Sequence, residues 1–149
     1  MINKNQNMNS NKIEVQSIKF SKFALKAEAF GVGLYEGILP SVNSYWKDYL
    51  LHYIPIEKGH WKLWEALTTE KGIANKSYIQ GKKTAKILAK ILGKKCYVII
   101  LLVEKFAVKG YSHELKKESL NDQTKNVISI ILGQEIEMEL KARTSKNKK

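Results

Sequence analysis

The residues whose types and spacing most suggest chemistry lie in one stretch, Glu118 to Gly133, with the sequence ESLNDQTKNVISIILG. Small polar residues and acids come first, Lys125 follows shortly after, and then an apolar segment typical of a helix begins. This order places polar groups at the N-terminal end of a buried helix. Ser, Asn and Asp before an apolar run are also the preferred residues for capping a helix N-terminus, and capping is the alternative interpretation.

A second set of candidate residues lies between Ser77 and Gly93, where the sequence has the pattern of an amphipathic helix. Its apolar residues gather on one face, and the other face carries Lys82, Lys83, Lys86, Lys90 and Lys94. No acid occurs from Lys71 to Lys95, so this helix lacks the ion pairs that would offset mutual repulsion. Contact with nucleic-acid phosphates and plain solvation are the two interpretations of this face.

The composition limits the class of protein. The 149 residues are typical of one domain, and 26 Lys and Arg against 14 Asp and Glu give a net charge of +12, which suits a polyanionic partner such as nucleic acid. The single cysteine, Cys96, excludes an internal disulfide and fits a reducing compartment. No run of 18 apolar residues and no signal-peptide pattern occur, so the sequence predicts a cytoplasmic protein without a membrane partner.

The ends of the chain are much more polar than its centre. Residues 1–12 are rich in Asn, Gln, Ser and Lys, and residues 143–149 are strongly basic. Such segments bury too little apolar surface to offset the entropy of ordering. The sequence therefore predicts two disordered tails around a single domain at 13–142.

The elements that must position the candidate residues are predicted to be strands and helices. Glycines within the segment from Phe23 to Gly37 argue against a helix and favour a first strand. The apolar run Cys96–Val103 is typical of a central strand, and the strict alternation of Glu135–Ala142 predicts a strand with Glu135 on its wet face. Together with the helices near 77–93 and 127–132, this order predicts an α+β fold with two main helices on a small mixed sheet.

Aromatic residues concentrate between residues 44 and 70. One interpretation is an aromatic core with short helices around Pro55. The other is that Tyr45 or Trp46 stacks on an unpaired base, because an aromatic ring can hold any base by its π face.

The order of these landmarks resembles the RusA-like family of Holliday junction resolvases, small basic endonucleases typical of phages and prophages. Leu39–Trp46 is similar to the family's Pro-Pro-Ser-x-Asn-x-Tyr segment, and Thr69–Ala74 resembles the segment that starts its long helix. Ser119–Lys125 has the length, the Leu and the Lys of the family signature Asp-Leu-Asp-Asn-x-x-Lys. Ser and Asn stand here in place of the family's paired aspartates, and Asp122 stands in place of its Asn.

The resemblance implies a Mg²⁺-dependent, structure-specific endonuclease that cuts branched DNA in recombination and repair as a homodimer. Mg²⁺ is held by carboxylates and water, so the implied ligands are Asp122 and Glu118, with Glu104 as another source of a carboxylate. Asn43 and Tyr45 join the lysines as implied nucleic-acid contacts. The implied catalytic residues are Ser119, Asn121, Asp122 and Lys125.

Two alternatives keep fewer of these implications. In the first, the protein has the same fold and basic surface and binds nucleic acid without cutting it. In the second, it is a protein-interaction module whose charge only keeps it in solution.

Overall fold

The protein is all-α in the computed structural model, which describes residues 4–68 and 72–145. No strand occurs in these ranges, so the predicted α+β fold with a mixed sheet is wrong. Short connections, two of them 3-10 turns at Leu39–Ser41 and Gly93–Cys96, join the helices. Across the same ranges, no helix has an apolar stretch long enough to cross a membrane. The helices are α1 (Lys4–Ile38), α2 (Ser44–Ala66), α3 (Ile73–Leu92), α4 (Tyr97–Leu115) and α5 (Asp122–Ser145).

The glycines that argued against a first helix allow two helices to touch. α3 packs mainly against α1. A Cβ atom on Gly33 would overlap the carbonyl oxygen of Tyr78, and a Cβ atom on Gly81 would overlap the carbonyl oxygen of Phe30. The two backbones are therefore in direct contact, which only residues without side chains permit. The predicted strand from Phe23 to Gly37 is wrong because these glycines serve packing rather than extended backbone.

The other two predicted strands are also helical. The run Cys96–Val103 forms the start of α4, where Tyr97 stacks on Trp46 of α2. The strand prediction failed because a short run of apolar residues shows no periodicity that distinguishes a buried strand from a buried helix. In α5 the buried residues Glu135, Met138 and Ala142 are three and four positions apart, which is helical spacing. The alternation was coincidental, and Glu135 is buried rather than on a wet face.

The helices extend into the segments predicted to be tails. α1 begins at Lys4 and α5 continues to Ser145. Residues 1–3 and 146–149 lie outside the described residues, as do residues 69–71 of the family-like segment Thr69–Ala74.

Two apolar clusters form the core, and α1, α2, α4 and α5 each contribute to both. α1 and α5 run from the second cluster to the first, whereas α2 and α4 run the opposite way. Each of these four helices carries a buried acidic residue, which lies between the two clusters in the sequence on α2, α4 and α5 and beside Ala29 of the second cluster on α1. The first cluster includes Tyr35, Ile38, Trp46, Leu50, Ile100 and Met138. The second includes Leu25, Ala29, Trp64, Tyr111, Ile128 and Ile131.

We expect Gly81→Val to lower the free energy of unfolding by about 2 kcal/mol or more, because the new side chain forces α1 and α3 apart. Urea denaturation followed by circular dichroism measures this change. Gly133→Ala is the control, since a Cβ atom there meets nothing within 4 Å, and it should raise stability by about 0.5–1 kcal/mol. Equal effects of the two substitutions would contradict the close contact of α1 and α3.

Candidate metal centre

Four glutamates and one histidine form a buried polar layer between the two apolar clusters. α1 contributes Glu28, α2 contributes Glu57 and His60, α4 contributes Glu104, and α5 contributes Glu135. Glu57 and His60 are three residues apart and therefore lie on the same face of α2. We call these five residues the carboxylate layer.

The side chains of the carboxylate layer converge on a small volume. One ligand atom from each of Glu28, Glu57, His60 and Glu135 lies within 4.8 Å of all the others. The Nδ1 atom of His60 is 3.2 Å from Oε1 of Glu135, 3.6 Å from Oε2 of Glu57 and 3.7 Å from Oε2 of Glu28. One imidazole nitrogen thus faces three carboxylates.

The other imidazole nitrogen is held from outside the layer. The Nε2 atom of His60 donates a hydrogen bond to Oε1 of Gln134 at 2.8 Å. A neutral His60 then carries its lone pair on Nδ1, directed at the carboxylates. Metal-binding histidines are commonly oriented in this way, by a hydrogen bond from the nitrogen that does not bind the metal.

Three buried tyrosines orient the glutamates. The hydroxyl groups of Tyr35 and Tyr49 both donate to Oε1 of Glu104, the second at 3.2 Å. Tyr111 donates to Glu28. Burial and the neighbouring glutamates raise the pKa of all three tyrosines, so the hydroxyl groups stay protonated as donors.

These hydrogen bonds also tie the helices together around the layer. Tyr49 of α2 contacts Glu104 of α4 and donates to the carbonyl oxygen of Met138 in α5 at 3.0 Å. Trp64 of α2 donates from Nε1 to the hydroxyl oxygen of Tyr111 at 3.0 Å, and the two rings are stacked. The positions of the carboxylates are therefore fixed from several helices at once.

Some buried polar atoms of the layer have no hydrogen-bond partner. Within the described ranges these include Nδ1 of His60, Oε2 of Glu104 and Oε2 of Glu135. A buried polar atom without a partner costs about 1–3 kcal/mol, and native proteins contain few of them. Three such atoms in one layer indicate positions that a bound ion would satisfy.

Burial and mutual repulsion make the ionised layer unfavourable in the absence of a cation. Burial, followed by the charge of Glu135, raises the pKa of Glu57 and raises that of Glu104 to about 8. Burial also raises the pKa of Glu135. For His60, burial lowers the pKa, but the nearby carboxylates of Glu135, Glu28 and Glu57 outweigh burial and raise it to about 12. In the absence of metal, His60 and the buried glutamates therefore tend to bind protons. Bound metal ions would take the place of these protons.

The residues predicted from Ser119 to Lys125 lie in the connection before α5 and in its first turn. Asn121 caps this helix, since its Oδ1 accepts a hydrogen bond from the backbone N–H of Thr124 at 2.9 Å. Asp122 is the first residue of α5 and is exposed, as is Glu118. These residues are not part of the carboxylate layer, whereas Glu104, the alternative carboxylate, is.

Asn121 also has a structural role through α1. Its backbone N–H donates to Oγ of Ser17 at 2.8 Å, and its Nδ2 donates to Oε2 of Glu14 at 2.9 Å. These contacts fix the start of α5 against α1.

The residues predicted to contact nucleic acid are divided between structural and exposed positions. Asn43 caps α2 by accepting from the backbone N–H of Trp46 at 3.1 Å, and Tyr45 is hydrogen-bonded to Ser145. Lys82 lies 3.2 Å from Oε2 of Glu36 on α1. The other predicted lysines are exposed and stay candidates for a polyanion surface: Lys83, Lys86 and Lys90 on α3, and Lys94 in the 3-10 turn that follows it.

Sequence reasoning missed most of the carboxylate layer. The available signal was Glu57-x-x-His60, a pair of metal-ligand types on one helix face. Glu28 and Glu135 carried no such local signal, because neither has a histidine three positions later in the sequence.

Comparisons of the chain with protein-family models, curated proteins and solved structures found no match. The class of site therefore follows from the geometry alone: a helical bundle with a buried layer of four carboxylates and one imidazole.

We expect the stability of the metal-free chain to fall between pH 5.5 and pH 8. The pKa of Glu104 is about 8 in the folded chain against an ordinary 4.5, and that of His60 is about 12 against 6.5. The folded chain then holds more protons than the unfolded chain across this window, so raising the pH favours unfolding by on the order of 2 kcal/mol.

Chelator-treated protein unfolded in urea at several pH values measures this slope. Adding manganese(II) should reverse the slope, because metal binding requires deprotonated ligands. Stability that rises with pH in the metal-free chain would contradict the protonated layer.

Proposed function

We propose that the protein is a metalloenzyme that binds two divalent ions, iron(II) or manganese(II), in the carboxylate layer and uses them for redox chemistry. The observation that carries this proposal is the convergence of Glu28, Glu57, His60 and Glu135 from three helices. Glu104, from a fourth helix, is buried and interacts with Glu135. The same layer contains three ligand-type atoms that lack hydrogen-bond partners.

Charge balance supports two ions rather than one. Four ionised carboxylates carry a charge of about −4, which two divalent cations and a neutral His60 neutralise. No lysine or arginine is buried among the described residues, so the alternative to bound cations is protonation of His60 and the glutamates. Burying such a set without cations would cost several kcal/mol for each ion, so the layer is arranged for charges that come from outside the chain.

The ligand set supports a dinuclear site of a known kind. Helical bundles that bind two iron or manganese ions use one Glu from each of two helices and a Glu-x-x-His pair from each of the other two. Glu28 and Glu104 correspond to the single glutamates, and Glu57 with His60 corresponds to one pair. Glu135 corresponds to the start of the second pair.

Met138 departs from that pattern, since it occupies the position of the second histidine and is fully buried. A thioether is a soft ligand that suits copper(I) better than iron(II) or manganese(II). The two metal positions are therefore unequal, and the position next to His60 binds its ion more tightly.

The types of ligand favour a transition metal over the Mg²⁺ that the family resemblance implied. Carboxylates suit manganese and magnesium, whereas an imidazole suits iron, zinc and other transition metals. Structural zinc sites are tetrahedral and rich in cysteine or histidine. A set of four carboxylates and one imidazole fits iron(II) or manganese(II) best.

Bound iron supplies one-electron and dioxygen chemistry. The chain's own residues supply the surroundings. Tyr35 and Tyr49 hold the carboxylate of Glu104, Tyr111 holds that of Glu28, and the helices that carry these ligands pack through the two apolar clusters. The ligands are therefore pre-oriented before an ion binds.

The endonuclease function remains a prediction of the family resemblance that nothing here tests. The strands that were predicted to flank its motifs are helices in this fold. Nucleic-acid binding by the exposed lysines of α3 also stays a prediction.

We expect chelator-treated protein to bind two manganese(II) or iron(II) ions per chain under anaerobic conditions, in two steps of different affinity. Calorimetric titration, with metal analysis after gel filtration, measures the number of ions. Glu135→Gln and His60→Ala should each lower the affinity of at least one step about tenfold or more, because each removes a ligand. Glu137→Gln is the matched control on α5, since Glu137 is exposed.

Asp122→Ala separates the two candidate sites. It should leave metal binding unchanged if the carboxylate layer is the site, and it should reduce binding if the start of α5 is the site. When air is admitted, iron(II) bound to the wild-type chain should be oxidised faster than iron(II) bound to Glu104→Gln. The ultraviolet absorbance of iron(III) measures the rate. Absence of binding, or equal binding by Glu135→Gln and the wild type, would refute the proposal.

A further inference from the structure

A pocket of about 440 Å³ leads from the surface to the carboxylate layer. Helices α1 and α4 provide most of its walls, and Glu28, Glu57 and Glu135 are among its lining residues. Three of the proposed metal ligands therefore border this space. Pockets of 300–1,000 Å³ are of the size that holds drug-sized ligands.

The walls of the pocket are apolar. Within the described part of the chain, no lysine or arginine lines it, and Glu114 adds a further acid. The acids of the described lining outnumber its one histidine, His113, so the pocket is poorly suited to an anionic ligand such as a nucleic-acid phosphate. The largest apolar side chains of the lining are Phe20, Phe23, Phe30, Leu34, Val103 and Phe106.

Small residues on both helices leave the space open. Ala27 and Gly31 on α1 face the pocket together with Ala107 and Gly110 on α4. Gly31 is buried, yet a Cβ atom added to it would meet no atom within 4 Å outside its own helix. A buried glycine with free space beside it is not needed for close packing, and here it preserves the volume of the pocket.

The pocket also has an aromatic entrance. Phe23 is 67% exposed and Phe106 is 66% exposed, although both line the pocket. Large exposed aromatic side chains are unfavourable in water and commonly mark sites where an apolar ligand or partner binds.

We propose that this pocket binds an uncharged, apolar organic molecule and holds it beside the metal ions, as the substrate of the protein. The proposal rests on the proposed function, since it makes the carboxylate layer the reactive end of the pocket. The apolar walls recognise the carbon skeleton, and the depth of the pocket brings one end of it to Glu28 and Glu135. The described lining contains no lysine or arginine, so the walls favour an uncharged carbon skeleton over one that carries acidic groups along its length.

The uncharged fluorescent probe N-phenyl-1-naphthylamine tests the pocket directly. We expect the full chain to bind it with a rise in fluorescence, and Gly31→Phe to weaken this binding at least tenfold because the new ring fills the pocket. Gly133→Phe is the matched control, since Gly133 is exposed on α5 and lies outside the pocket. Equal affinity of Gly31→Phe and wild type, or no binding at all, would overturn the proposal. Circular dichroism confirms that each variant is folded.

The position of the pocket beside the metals is tested by fluorine NMR. Manganese(II) should strongly broaden the signal of bound 1-fluoronaphthalene, zinc(II) should not, and Gly31→Phe should remove the broadening. A chain that binds the fluorescent probe but no metal would contradict the proposed function and leave the pocket in place. Probe binding without broadening in manganese-loaded protein would contradict the placement of the substrate. Light scattering tests whether a second copy of the chain covers this face instead. A dimer that Phe23→Ser and Phe106→Ser dissociate would contradict the proposed substrate pocket.

Discussion

The burial of four carboxylates and one imidazole in the middle of a helical bundle is the constraint on which the structure depends. Ionised groups in such surroundings are stable only when opposite charges and hydrogen bonds compensate for lost hydration. The chain provides the hydrogen bonds through Tyr35, Tyr49 and Tyr111. It provides no buried lysine or arginine within the described ranges, so the missing positive charge must come from bound ions or from protons.

The rest of the fold meets the requirements of that layer. Each of α1, α2, α4 and α5 carries its acid within or next to a segment that enters one of the two apolar clusters, so the packing of these clusters fixes the position of every ligand along its helix. α3 contributes no ligand, and it lies against α1 through Gly33 and Gly81. This contact braces the helix that carries Glu28. It leaves the opposite side of that helix available for the pocket shared with α4.

The sequence predicted some local features correctly and the architecture incorrectly, for physical reasons. The amphipathic pattern between residues 77 and 93 corresponds to α3, and the capping interpretation of Asn121 agrees with its hydrogen bond to Thr124. The strands failed because glycines, a continuous apolar run and a chance alternation each fit more than one structure. Glycine promotes turns in isolation, but Gly33 is needed for a helix contact that becomes visible only in three dimensions.

The carboxylate layer was partly predictable. Glu57-x-x-His60 is a local signal with a chemical meaning, because a helix places both side chains on one face. The other ligands are separated from it by 29 to 78 positions in the sequence, and only the assembled bundle brings them together. Since glutamate is common on exposed helix faces, the identity of Glu28, Glu104 or Glu135 alone does not distinguish a ligand from a solvated acid.

The most direct test of the central claim is a crystal structure of the chain soaked in manganese(II), with anomalous diffraction to locate the metal. The account predicts two anomalous peaks about 3.5–4 Å apart, bordered by Glu28, Glu57, His60, Glu104 and Glu135. Peaks at Glu118 and Asp122 only, or a carboxylate layer without any peak, would contradict it.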